Sequence, residues 1–417
     1  MKKITLLLIL IAMVSLEIVA QNVYENRTYS PLIRTVMLKK ADNLLSLPVI
    51  YLNRNDYAVL SFDELSEETK RYEFTLIHCN SDWTPSGLPI DLYIEGFEIG
   101  QIENYSNSEQ TIQRYVHYSQ MIPSKDMRIL KSGNYIIKVF QEGNPDNVVL
   151  TRRLYVVDDK ANVEVSVTPS KDASLLRTHQ EVNVRIGAKN GSYFSSAEQY
   201  MTVTVMQNGR EDNKRNLRLR GMMGDKLDYS FYSENQFAAG NEFRYFDFTS
   251  LRIKSQYIDR FDYINDENQV YLRTDKPRND IAYSSEKDLN GSYYIRNDIN
   301  ENYSVGSDYA WVHFTLDKPL SLEGAYYVVG SMTDWRLSVL NQMKYENNAY
   351  HLALYLKQGY YNYQILYKRP NEKIASTKEV EGNHSETNNK YNVFVYYKNF
   401  ADNYDELVGY STVEYNR

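Results

Sequence analysis

The sequence predicts an all-β protein assembled as tandem immunoglobulin-like or fibronectin-like β-sandwich domains. Three observations carry that prediction. Beyond residue 21 apolar residues recur with a period of two far more often than 3.6. The chain is rich in residues that favour a pleated, half-buried surface, with 39 Tyr and 14 Phe among 417 residues. Long amphipathic helical runs are lacking. A hydrophobic content of 42% is enough to fill real cores, while 18 Gly and 10 Pro are too few for a collagen-like or linker-like chain.

Taken in order, the chain opens with Met1-Lys2-Lys3 and an apolar run from Ile4 to Val14 broken only by Thr5. A membrane-spanning helix needs about 20 apolar residues, so residues 1–20 read as an export signal peptide cut after Ala20. Alternation then marks strands. Tyr72, Phe74 and Leu76 alternate with polar neighbours, as do Val163, Val165 and Val167, then Val182, Val184 and Ile186, then Val203 and Val205. Trp311 to Leu316, Leu352 to Leu356 and Val393 to Tyr397 continue the pattern. Asp63 to Arg71 reads as a loop or a single turn. Asn208-Gly209 signals a hairpin, Lys131 to Asn134 leads into the run Tyr135–Phe140, and Gln358-Gly359 separates two further strands. Breaks at Val157 to Lys160 and in the polar stretch Asn297 to Gly306 divide the mature chain into units 21–158, 159–300 and 301–417. The Asp-, Asn- and Arg-rich stretch Ser233 to Asp280 reads as an insertion or long loop in the middle unit.

Charge and motifs narrow the function. A net charge of −7 argues against a nucleic-acid partner, which requires a basic face. One cysteine excludes intrachain disulfides and a cysteine-only zinc cage, and in an exported chain it points to a Gram-negative periplasm. His78 and Cys79 are neighbours on an alternating strand, so imidazole and thiol point to opposite faces and Cys79 reads as a packing residue. The six histidines form no HxH or HxxxH pair, and no phosphate loop or Gly-x-Ser-x-Gly elbow is present. No catalytic role, cofactor or metal is therefore expected. No second apolar run approaches membrane length.

Two aromatic constellations remain. The first is His78-Cys79-Asn80-Ser81-Asp82-Trp83-Thr84-Pro85-Ser86, in which Pro85 restricts the turn that holds Trp83; Tyr115 and Tyr118 follow downstream. The segments Trp83 to Leu88 and Tyr105 to Tyr118 read either as contact loops or as sandwich corners. The second runs from Tyr326 through Gly330 to Trp335 and on to Gly359-Tyr360-Tyr361-Asn362-Tyr363. A strand ends there in a glycine turn, Trp335 covers the sandwich edge, and an outer hairpin follows.

The segment Gly330 to Trp335, with Gly359 to Tyr363 after it, resembles the early-set sandwiches of glycogen-binding, family 48 carbohydrate-binding modules. That likeness implies a sandwich and, as an alternative function, periplasmic glycan binding through the C-terminal unit. A longer ordered set is similar to the type IX secretion plug protein family. It comprises His78 to Ser86, Glu95-Gly96-Phe97, Tyr115 to Tyr118, Ser132 to Tyr135, Gln207 to Arg210, Asp288 to Tyr293, Leu356 to Tyr360 and Glu381-Gly382-Asn383-His384. The resemblance implies a periplasmic accessory protein of Bacteroidota. Such a protein binds a large outer-membrane β-barrel translocon and closes its periplasmic opening when no substrate is engaged. It implies no catalytic residues.

Overall fold

The computed structural model describes residues 23–43, 45–189, 194–401 and 403–416, so the expected signal peptide at 1–20 lies outside the described residues. The fold is all-β, with only two four-residue α-helices, Ala197–Tyr200 and Tyr303–Gly306, among the described residues.

The first sandwich pairs two sheets. One orders Ile33–Lys40, Ala58–Glu64, Val116–Ile122 and Asn104–Asn107. The other orders Arg27–Thr28, Val148–Val157, Gly133–Gln141, Tyr72–Cys79 and Ile99–Gln101, with Val49–Tyr51 added in parallel to Val148–Val157. Leu60, Phe62, Tyr118, Phe74, Leu76 and Ile137 fill the space between them.

The central strands of this second sheet are buried on both faces. Along Gly133–Gln141, Tyr135, Ile137 and Val139 face the first core, whereas Ile136 faces a different cluster with Tyr155, Val157, Trp83 and Cys79. A strand covered on both sides carries a near-continuous apolar run rather than an alternating one, and Tyr135–Phe140 is such a run, interrupted only by the half-buried Lys138. Its covering layer is a sheet ordered Arg215–Leu217, Met201–Gln207, Asn389–Asn399 and Tyr404–Tyr415, which contributes Met206, Phe394, Tyr396 and Leu407. The opposite face of that layer, with Val203, Val205, Tyr391 and Val393, packs on Val182, Val184 and Ile186 of a further sheet built on Ala161–Pro169 and His179–Ala188. Four sheets are thus stacked in series.

Between residues 241 and 387 the chain builds another sandwich. One sheet holds Arg244–Asp247, Gly359–Lys368, Tyr293–Ile295 and Ala325–Val329. The other orders Ile258–Ile264, Glu267–Leu272, Tyr309–Leu316, Ala349–Lys357 and Lys344–Glu346. Phe246, Val270, Val312, Phe314, Tyr361 and Ile365 form its core.

This pairing departs from the expected units 159–300 and 301–417. Of the stretch Ser233 to Asp280, expected as an insertion or long loop, Gln236–Ala238 pairs with His179–Glu181 in the middle sandwich and the strands from Arg244 onward open the third, while Glu267–Leu272 pairs with Tyr309–Leu316 across the expected boundary at 300. The last hairpin, Asn389–Asn399 with Tyr404–Tyr415, leaves the third sandwich and pairs with Met201–Gln207 in the middle one. The reason is burial. Val393, Val395 and Tyr391 find their apolar partners on the middle strands, and no local sequence pattern encodes that long-range choice. Gln358-Gly359 likewise does not close a hairpin, because Ala349–Lys357 and Gly359–Lys368 lie in opposite sheets. A side chain at Gly359 would overlap the Tyr294 carbonyl, so the corner requires glycine. Asn208-Gly209 does turn between paired strands: Arg210 N–H donates to Gln207 C=O at 3.0 Å, with φ of 52° and 78° at the two central residues, a type I′ turn.

Candidate interaction surface

Most of the aromatic residues singled out from the sequence lie inside the molecule. Trp83 has φ +70° and is 4% exposed; the Arg153 guanidinium lies 4.2 Å from its ring centroid and Tyr155 meets it edge-on. The turn around it is fastened locally and at long range. Thr84 N–H and O–H donate to Asp82 at 2.9 and 2.6 Å, and Ser81 N–H and O–H donate to Asp405 at 3.1 and 2.7 Å. Burial alone would raise the Asp82 carboxyl, but the Thr84 hydrogen bonds outweigh it and hold the group below its usual range. Pro85 is exposed and bridges back to Cys79. The segment is a corner that docks the first sandwich onto the C-terminal hairpin.

His78 is 2% exposed, and its Nε2 lies 3.0 Å from the Ser132 carbonyl oxygen, which fixes the Nε2–H tautomer. Burial pushes its pKa down to about 4 and that of the Cys79 thiol up to about 12. The two side chains enter different surroundings: His78 is ringed by Tyr93, Tyr135 and Tyr404, whereas Cys79 joins the cluster around Trp83.

Tyr115 and Tyr118 are also buried, and each serves as a polar anchor. Tyr118 O–H donates to the Lys70 carbonyl at 2.9 Å; Tyr115 O–H donates to Ser307 C=O at 2.8 Å in the third sandwich. Tyr363 O–H donates to Asp275 at 2.8 Å, and Tyr360 is half-buried, stacked on Tyr245 and Tyr294. Trp335, half-buried at φ +57°, packs edge-on against Phe243. A Cβ at Gly291 would overlap its ring, and one at Gly209 would crowd it. Trp335 is therefore a wedge between the middle and third sandwiches, not one face of an open sugar platform.

Sequence reasoning missed the polar joint between the first and third sandwiches. Asp63 and Lys357 are each 1% exposed in their side chains and lie 2.6 Å apart. Tyr309 O–H donates to the same carboxylate at 2.7 Å, His117 Nδ1 lies 2.6 Å from its other oxygen, and Lys357 also donates to Ser304 C=O at 2.6 Å. Burial would raise the Asp63 carboxyl; Lys357 and His117 outweigh it and hold the group ionised below its usual range. Removing one member of such a buried pair typically costs about 3–5 kcal/mol. Its partners are 294 positions apart, so no spacing motif announces them. Nearby, Asp308 accepts the Ile112 and Gln113 N–H groups at 2.8 and 3.1 Å. The polar stretch 297–306, expected as a break between units, is part of the same interface, since Glu109 N–H donates to Val305 C=O at 2.9 Å and Tyr115 O–H reaches Ser304 C=O at 3.2 Å. Glu381 of the Glu-Gly-Asn-His motif is likewise internal, held by Arg244 and Arg278.

The surface left open is one margin of the first sandwich. Asn104–Asn107 ends its sheet and is exposed at all four positions, and Ile99–Gln101 ends the facing sheet beside it. Ser108 N–H donates to Tyr115 C=O. In an antiparallel ladder that places Ser106 and Asn104 in the bonded phase and points the N–H and C=O of Tyr105 and Asn107 outward. The Ile102 N–H to Tyr72 C=O bond sets the same phase on the other edge, leaving Ile99 and Gln101 outward. Phe97, Ile99 and Tyr105 are 68%, 49% and 50% exposed. Protein edges are commonly blunted by Lys or Pro. Here no Lys or Arg occurs between Arg71 and Arg114, and Glu98, Glu103 and Glu109 flank the edge. Its chemistry fits an extended segment that carries basic residues. The other margin of the same sheet, Ile33–Lys40, has no exposed residue and is covered by the third sandwich.

Residues 33–158 match the profile of the type 9 secretion system plug protein 1st domain. No curated protein matches the chain. Among solved structures, the crystal structure of a hypothetical protein from Parabacteroides merdae ATCC 43184 is similar, with a TM-score of 0.91 at 31% identity over 94% of this chain and 99% of that one. Among the described residues no helix is long and apolar enough to cross a membrane, and no three His, Cys, Asp or Glu side chains converge as metal ligands.

Proposed function

The chain belongs to the type IX secretion system plug protein family, and from that premise we propose that it binds a large outer-membrane β-barrel translocon from the periplasm and occludes its opening when no substrate is engaged. The observation that carries this reading is the open double edge of the first sandwich, which lies in the segment that matches the family. Ile99–Gln101 and Asn104–Asn107 offer outward backbone groups, exposed apolar side chains and flanking carboxylates. An extended, basic strand or turn at a barrel's periplasmic rim could add to either edge by main-chain hydrogen bonding.

The rest of the molecule suits occlusion. A plug has to keep its shape against a pore. Here the sandwiches meet through a shared apolar layer and a buried ion pair, without a Gly/Ser linker between them.

Affinity capture of the tagged full chain from solubilised envelope membranes tests the reading. A large β-barrel protein should co-purify, and deleting the gene should admit large antibiotics that the intact outer membrane excludes. Capture without any barrel partner, together with unchanged antibiotic sensitivity in the deletion strain, refutes it.

A further inference from the structure

We propose that the cleft between the first and third sandwiches is a binding site for a carboxylate carried on an apolar chain. The cleft encloses about 540 Å³, within the range of small-molecule sites. It lies at the margin of the first sandwich opposite Asn104–Asn107, so it is separate from the docking edge and does not depend on it.

Its walls combine two chemistries. Trp311, Tyr355, Leu354 and Leu356 supply an apolar floor, and Val339 and Leu340, 82% and 78% exposed, form a rim that nothing covers among the described residues. Four arginines line it against a single carboxylate, Asp334. Three of the four are already engaged: Arg152 with Asp334 at 3.3 Å, and Arg27 and Arg336 with Glu25 at 3.4 and 3.1 Å. Arg34 has no carboxylate within ion-pair distance among the described residues, and its buried Nε lacks a hydrogen-bond partner. Ser331 Oγ, also lining the cleft, is buried and equally unpartnered.

Buried polar atoms are normally satisfied, so two orphans on one cleft mark a place where a ligand group can bond. A guanidinium answers best to a planar carboxylate, and Ser331 can donate to the same group.

The backbone is shaped for this wall. Arg34 pairs with Asp63 and Met37 with Ser61, so Thr35 and Val36 form a bulge, with Thr35 at φ +48°. A β-branched residue in that region is strained, and bulges re-aim neighbouring side chains. Arg34, Thr35 and Val36 all face the cleft.

The test is calorimetric titration of the full chain with octanoate, octanol and acetate, and with Leu-Leu-Leu as free acid and as C-terminal amide. Saturable octanoate binding is expected, with octanol and acetate each weaker by about tenfold or more, the size expected of one charge-assisted hydrogen bond or of several buried methylenes. The peptide pair distinguishes the source of the carboxylate: preference for the peptide acid over octanoate points to a chain terminus, the reverse to a fatty acid. Arg34→Gln should weaken binding of the preferred ligand about tenfold and Arg34→Lys less. The rim variant Val339→Ser/Leu340→Ser should weaken it with an unchanged melting temperature, since both side chains are exposed. Failure of octanoate and the peptide acid to bind saturably, or undiminished binding to either Arg34→Gln or the rim variant, overturns the proposal.

Discussion

A histidine closed off by three tyrosines ties the stability of this fold to pH. His78 is neutral in the folded state, its pKa lowered from 6.5 to about 4 by burial. The unfolded chain therefore binds the proton more readily, and stability contributed by this group is complete above about pH 6.5 and lost as pH falls toward 4. At 1.36 kcal/mol per unit the loss amounts to about 3 kcal/mol. Urea unfolding at pH 7 and pH 4.5 checks this: the wild type should lose markedly more stability than His78→Phe, whose ring keeps the tyrosine contacts but carries no proton. Equal losses would mean that His78 is not the titrating group. At this scale the sequence was partly readable. Adjacent strand positions must face opposite ways, which separates His78 from Cys79 without any structure. Asp63 and Lys357 were unreadable, because a buried ion pair is defined by tertiary proximity and each residue alone looks like an ordinary charge at a strand end.

Among elements, the sheet edges differ in how they are treated. Ile258–Ile264, an edge in the third sandwich, is studded with Asp259, Arg260 and Asp262, which oppose strand addition. Asn104–Asn107 has no charged residue within it. The ladder phase gives a clean way to separate docking from folding. Tyr105 presents its N–H away from Val116–Ile122, so Tyr105→Pro removes an outward donor while sparing the bonds that hold the strand, the placement in which edge strands tolerate proline. The variant should melt within a few degrees of the wild type, yet its capture of the barrel partner should fall at least about tenfold, corresponding to 1.4 kcal/mol or more. Unchanged capture would move the contact surface elsewhere. Strands such as Val182 to Ile186 were legible because one face is buried and one wet, and alternation records that directly. Asn104–Asn107 was legible only as a polar, aromatic segment, since edge position is a property of the sheet and not of the residues.

The whole molecule is interleaved rather than serial, and that has a consequence that a serial arrangement would not share. The hairpin 389–415 completes the middle sandwich and covers the outer face of the first, while the third sandwich is spliced between residues 241 and 387. At the splice the chain passes through a neck of buried amides: Asn389 donates to Ala239 C=O at 2.8 Å, Gln180 to Thr387 C=O at 2.7 Å, and Asn241 to Glu381 C=O at 2.8 Å. Ending the chain at residue 388 would leave every strand of the third sandwich in place. It would strip Met201–Gln207 of its neighbour and expose Ile136, Tyr155, Val203 and Val205 to water. Each buried side chain of this size contributes about 1.5–3 kcal/mol, so the loss from these four alone rivals the roughly 5–15 kcal/mol that holds a typical protein folded. The truncated protein is therefore expected to lose the middle sandwich and loosen the first, while the third stays folded. Limited proteolysis read by mass spectrometry should release a protected fragment spanning about 241–387, with cleavage throughout 161–238. The full chain should resist across both regions. Preferential digestion of the third sandwich, which is what removing the end of a serial array would produce, would contradict the interleaved architecture.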